Sequence, residues 1–198
     1  MPKVDLALIQ KLREMTGLGM MDCKKALEET AGNIEGAIEL LRKKGALVAA
    51  NRAGKATAEG IVHAYIHPGS KMGVLIEINC ETDFVANTED LKKFAQDICL
   101  HIAALRPLYL TPADVDPKFV EREVDLFKAQ LADSGKPEKV INQIIEGKLN
   151  KLYADICLMQ QTFVKNDQQT ITDVLTGLMA KTGENIKIKR FARFEIGA

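Results

Sequence analysis

Two runs of alternating side chains, separated by Pro68-Gly69-Ser70, constrain this chain more than any other feature. Val62, Ala64 and Ile66 fall on one side of the run from Gly60 to His67. Met72, Val74, Ile76 and Ile78 do the same along the next run. A period of two places alternate residues on opposite faces of a strand. Pro-Gly-Ser supplies the turn between them. The pair therefore reads as an antiparallel hairpin, and a third alternating stretch, Ile186–Ile196, reads as a closing strand. A small sheet of this kind needs helices to cover it.

The remaining sequence provides those helices. Val4, Leu8, Leu12 and Met15 share one helical face before the break Thr16-Gly17-Leu18-Gly19. Met20, Cys23 and Leu27 recur at helical spacing up to Gly32. Asn33 is placed to cap a third helix containing Ile34, Ala37, Ile38 and Leu41, and Gly45 is expected to stop it. Short loops make these three helices neighbours. After the hairpin, Asn87 or Thr88 caps a helix carrying Leu91, Phe94, Ile98, Ile102 and Leu105, ended by Pro107 and Pro112. Further helices follow around Phe119–Leu131, from Pro137 through Ile156, and from Ile171 to Gly183. The fold class is α+β. A three-helix module over residues 1–45 and an Ala-rich basic helical linker over 46–57 precede an α+β core over 58–198.

Composition narrows the function. The 198 residues carry 27 basic and 27 acidic side chains. A net charge of zero argues against general nucleic-acid binding, which needs an excess of Lys and Arg. Charge is nevertheless uneven. Residues 1–55 hold ten positive and seven negative side chains, and residues 181–198 hold five and two. Basic ends of this kind suit an acidic protein partner. The longest stretch free of Asp, Glu, Lys and Arg is Gly60–Ser70, eleven residues. A membrane-spanning helix needs about twenty apolar residues. No export or transit signal is read at the start, so a cytoplasmic location is expected.

Little conventional chemistry is legible. Cys23, Cys80, Cys99 and Cys157 form no C-x-x-C pair, and reduced thiols are expected. His63 and His67 lie four apart, but on a strand, where that spacing does not suit a metal. No nucleophile motif, phosphate loop or zinc-protease motif occurs. No catalytic residue, metal or cofactor is expected, and the chain does not read as an enzyme.

Two segments stand out instead. In Leu12–Leu27, Met20 and Met21 are adjacent at a helix start and cannot both enter one small core. One of them should be exposed beside Arg13 and Lys24. That segment is either a loose core edge with a solvated basic rim or a docking patch of soft Met contacts ringed by charge. In Ile76–Asn87, a strand runs into polar residues and Phe84-Val85 then appears before the next helix. Phe84 either folds back onto the core, the commoner fate of a loop aromatic, or is an exposed anchor with Asp83 beside it.

Together these segments resemble the translation elongation factor Ts family, the guanine-nucleotide exchange factors of elongation factor Tu. The family's N-terminal pattern is matched by Leu12-Arg13, Thr16-Gly17, Gly19-Met20-Met21-Asp22, Lys24-Lys25 and Ala26-Leu27. Its core motif is matched by Glu77-Ile78-Asn79-Cys80-Glu81-Thr82-Asp83-Phe84-Val85-Ala86, and its closing strand by Arg193-Phe194-Glu195-Ile196-Gly197. The resemblance spans essentially the whole chain. It implies a ubiquitin-associated-like N-terminal module that docks on the partner's nucleotide-binding domain through Arg13, Met20, Met21 and Lys24. It also implies an exchange motif, Thr82, Asp83, Phe84 and Val85, in which Asp83 and Phe84 reach toward the magnesium and phosphate site. His101 resembles a further contact residue, although its position at the border of an apolar face equally suits a satisfied histidine at the core edge. Long members of the family carry two core subdomains, a protruding coiled coil and a C-terminal module. This chain resembles the short form, which implies a homodimer binding both GDP-bound and nucleotide-free partner, with no membrane or direct nucleic-acid contact.

Competing readings use smaller parts of the chain. A ubiquitin-associated-type adaptor would need residues 1–45 alone. An RNA-binding protein would use Lys187, Lys189, Arg190 and Arg193 with Phe191.

Overall fold

A computed structural model describes residues 4–197. The outermost residues of the two expected domains, 1–3 and 198, lie outside it. Helix α1 (Leu6–Thr16) starts at Asp5, whose carboxylate accepts from the Ala7 N–H, and ends at Gly17 with φ +68°. Helices α2 (Met20–Glu29) and α3 (Ile34–Arg52) follow, the latter capped by the Asn33 side chain at the Gly36 N–H. Leu12, Cys23, Ala26, Leu27 and Ala37 are fully buried between the three helices.

The third helix does not stop at Gly45 but runs through it to Arg52, absorbing the first part of the expected linker. The reason is a close helix crossing. A Cβ at Gly45 would lie 3.2 Å from the Ala180 Cβ of helix α8 (Ile171–Thr182). The glycine gives α8 room to approach, and it does so in helical backbone.

Strands β1 (Glu59–Ile66), β2 (Met72–Cys80) and β3 (Lys187–Glu195) form one antiparallel sheet in the order β1-β2-β3. A bulge falls at Glu77/Ile78. At Gly60, φ is +151° and a Cβ would strike the Ile78 carbonyl oxygen, so no other residue fits there. Val74, Ile76, Ile78 and Ile188 pack under α5 (Glu89–Leu105) and α8, against Leu91, Ile98, Ile102, Ile171 and Leu175.

The opposite face of the sheet is uncovered. Its rungs are Ala64–Leu75–Ala192 and Ile66–Gly73–Phe194, with Val62 beside Glu77 and Arg190. The apolar set of β1 thus faces outward, while Ile61, His63 and Tyr65 turn inward. Helices α6 (Pro117–Leu131) and α7 (Glu138–Ile156) pair with each other as a hairpin. Of their side chains only Ile145 is buried. No helix among the described residues is long and apolar enough to cross a membrane.

Candidate partner interface

Between β2 and α5 lies a single helical turn, α4 (Asp83–Ala86). Thr82 caps it by accepting from the Val85 N–H, and Thr88 caps α5 by accepting from the Leu91 N–H. The Asn87 amide donates to the Asp83 carbonyl, and the Thr88 hydroxyl donates to the Val85 carbonyl. Val85 and Ala86 are buried in the core. At 100° per residue, Phe84 then stands about 150° from the centre of that buried pair. The ring therefore points to solvent and is 86% exposed. Asp83 beside it is exposed as well. Of the four motif residues, Asp83 and Phe84 face outward, Thr82 caps the turn and Val85 anchors it.

A polar knot that sequence spacing did not foretell holds this turn. The Glu184 carboxylate accepts from the Glu81 N–H (3.2 Å), the Thr82 N–H (3.1 Å) and the Thr82 hydroxyl (2.6 Å). In return, the Glu81 carboxylate accepts from the Asn185 N–H (2.6 Å) and from Arg52 at the end of α3 (3.2 Å). The Asn185 amide, itself buried, donates to the Lys55 carbonyl (2.8 Å). The Cys80 thiol donates to the Thr82 carbonyl, and burial followed by the Glu184 charge pushes its pKa up.

In the N-terminal module, Arg13 occupies the last turn of α1, and Met20 and Met21 open α2. Both methionines are exposed, at 42% and 62%, where only one was expected to be. The small core is already filled by Leu12, Cys23, Ala26 and Leu27, so the first turn of α2 overhangs it. Lys24 is exposed and lies 3.8 Å from Glu28. Arg13 makes no ion pair among the described residues. The module's turn also meets the core. A Cβ at Gly17 would lie 3.9 Å from the Lys181 ammonium, which pairs with Asp90 at 2.6 Å in the first turn of α5.

His101 lies elsewhere. It is fully buried, accepting at Nδ1 from the Val164 N–H (3.2 Å) and donating from Nε2 to the Gln161 side-chain oxygen (2.9 Å). Burial lowers its pKa and keeps it neutral. The structure corrects the surface-contact expectation: His101 joins α5 to the 157–164 segment and does not reach a docking surface. Burial also pushes the Cys99 thiol up to about 12. Among the described residues no group of three or more His, Cys, Asp or Glu could hold a metal ion.

On the basic strand, Lys187 and Lys189 are exposed. Phe191 turns inward opposite Ile76, Arg190 pairs with Glu77 at 2.6 Å, and Arg193 is held by Glu195 at 2.7 Å.

Comparison with known proteins accords with this layout. The family model described as Elongation factor TS matches residues 6–198. The elongation factor Ts of Desulfitobacterium hafniense is 51% identical over 197 residues, covering 100% of this chain and 91% of that protein. That of Carboxydothermus hydrogenoformans is 51% identical, covering 96% of this chain and 88% of that protein. That of Thermotoga neapolitana is 50% identical and covers 98% of both. With the family match running from residue 6 to 198 and half of the aligned residues identical, the chain belongs to the elongation factor Ts family.

Proposed function

We propose that the N-terminal module docks this chain on elongation factor Tu and that Phe84, with Asp83, turns part of the docking energy into release of GDP. As a member of its family the chain is a guanine-nucleotide exchange factor for elongation factor Tu in polypeptide elongation. What is proposed is the division of labour, and the observation that carries it is the outward Phe84 ring on a clasped turn.

Exchange needs no catalytic base. It needs a surface that binds the nucleotide-free partner more tightly than the GDP-bound one. By linkage the factor then weakens GDP as much as GDP weakens the factor. Magnesium gives leverage, because it demands near-octahedral ligands at about 2.0–2.1 Å and tolerates little displacement. Seating one Phe side chain is worth about 1.5–3 kcal/mol. Driving a two-state equilibrium from 1:99 to 99:1 takes about 5.5 kcal/mol. Phe84 alone is too small for that, so Arg13, Met20, Met21 and Lys24 supply docking energy. His101 contributes by keeping α5 in place.

A homodimer accords with the same reading. The uncovered sheet face carries Val62, Ile66, Leu75 and Phe194, all exposed and apolar. A contiguous apolar face of this kind marks an association surface, and a second copy would present the same face in a two-fold pairing. The dimer would work in the cytoplasm, where elongation takes place. Leu75→Asp is expected to yield monomers in sedimentation, and a wild-type chain that sediments as a monomer would contradict the pairing.

The decisive test of the function is release of labelled GDP from elongation factor Tu with and without this chain. Stimulated release is expected, and no stimulation by folded protein would overturn the reading.

A further inference from the structure

We infer that Glu184 is the positioning residue of the Phe84 turn, and that the reciprocal clasp of Glu81 and Glu184 ties this turn to the end of the docking module. The inference rests on the exchange reading above and adds residues outside the Thr82–Val85 motif.

The geometry is specific. Phe84 sits on a helix of one turn, which by its own backbone bonds is a weak structure. Its N-terminal side would be the natural place to fray, since the first N–H groups of a helix have no partners within it. Glu184 holds the backbone just before that turn at two consecutive N–H groups and again at the Thr82 hydroxyl. Bonds to an ionised carboxylate are stronger than neutral ones. Glu184 therefore sets where α4 begins, and with it the direction of Phe84.

The second half of the clasp runs the other way. Glu81, from the end of the hairpin, holds the Asn185 N–H and Arg52. Asn185 donates onward to the carbonyls of Ala53 (3.4 Å) and Lys55 (2.8 Å), directly after α3. One knot thus fixes three chain segments: the exit of the module, the start of the Phe84 turn and the α8–β3 junction. A load on the module reaches Phe84 through hydrogen bonds rather than through a slack linker. For a wedge this matters, because misplacement by about 1 Å can cost about a hundredfold in rate at a reacting site.

The test is a saturation curve of labelled GDP release from elongation factor Tu against factor concentration, for the full chain and its variants. Glu184→Ala is expected to lower the maximal stimulated rate about tenfold or more, the fold-change for losing one charge-assisted hydrogen bond. Half-saturation should move less than about threefold, since the docking side chains are untouched. Glu184→Gln keeps an oxygen for the two N–H groups and should recover most of the rate. Where the alanine variant does not fold, Glu184→Asp draws the carboxylate back by one methylene and should show the same split.

A second readout is independent of rate. The chain has no tryptophan, so Phe84→Trp introduces a single indole whose anisotropy should fall when Glu184→Ala is added. An unchanged maximal rate, a change in half-saturation alone, or an unchanged anisotropy would overturn the clasp. If wild type fails to stimulate release, the exchange reading itself fails. If Phe84→Ala slows release while Glu184→Ala matches wild type, exchange stands and the clasp falls.

Discussion

The start of α2 and the Phe84 turn both present apolar side chains to solvent, but they are built in opposite ways. Met20 and Met21 open a helix whose N-cap, Gly19, offers no side-chain hydrogen bond. Their flexible thioethers can adapt to an irregular surface. Phe84 is a flat ring on a turn held by two threonine caps and a carboxylate clasp. Adaptable side chains suit docking, where a surface must be matched. A fixed ring suits displacement, where a force must be transmitted. On the proposed reading, affinity belongs to the first region and rate to the second.

The largest expected effect lies in the second region. Phe84→Ala should slow maximal stimulated GDP release about ten- to a hundredfold, the equivalent of one seated Phe side chain, with half-saturation almost unchanged in the same release assay. Next is the first region. Met20→Ala combined with Met21→Ala should raise the half-saturating concentration about tenfold, within the usual range for truncating interface anchors, and leave the maximal rate alone. Arg13→Ala should act in the same direction but more weakly, and more at low salt than at high salt. An Arg13→Ala effect confined to maximal rate would break the contrast.

A smaller effect tests the frame that joins the regions. Gly45→Leu forces a side chain into the α3–α8 crossing and should cost about 1–3 kcal/mol of stability, read by denaturant unfolding. The smallest effect is a pH dependence. His101 is neutral in the fold with its pKa lowered by burial. The unfolded state therefore binds the proton first, and stability falls as pH drops below about 6.5. His101→Gln should flatten that slope, and an identical acid profile for both proteins would contradict it.

The sequence displayed these parts unequally. Hairpin, closing strand and helices were legible because their periods are local. Gly45 misled because a glycine that stops a helix and one that admits a neighbour look alike until Ala180 is placed beside it. The direction of Phe84 was within reach: burying Val85 and Ala86 on a short turn leaves Phe84 outward. Glu184 and Asn185 gave no signal, because their partners lie more than 100 residues away. His101 was ambiguous, since a border position on α5 does not reveal that Gln161 and Val164 close over it.

On the proposed reading, Phe84 separates the two nucleotide states of the partner. The most direct measurement is the affinity of this chain for GDP-bound and for nucleotide-free elongation factor Tu, in wild type and in Phe84→Ala. The ratio of the two affinities should shrink about ten- to a hundredfold in the variant, with binding to the GDP-bound form nearly unchanged. A ratio equal to that of wild type, with both affinities weakened together, would make Phe84 one more docking contact and contradict the account.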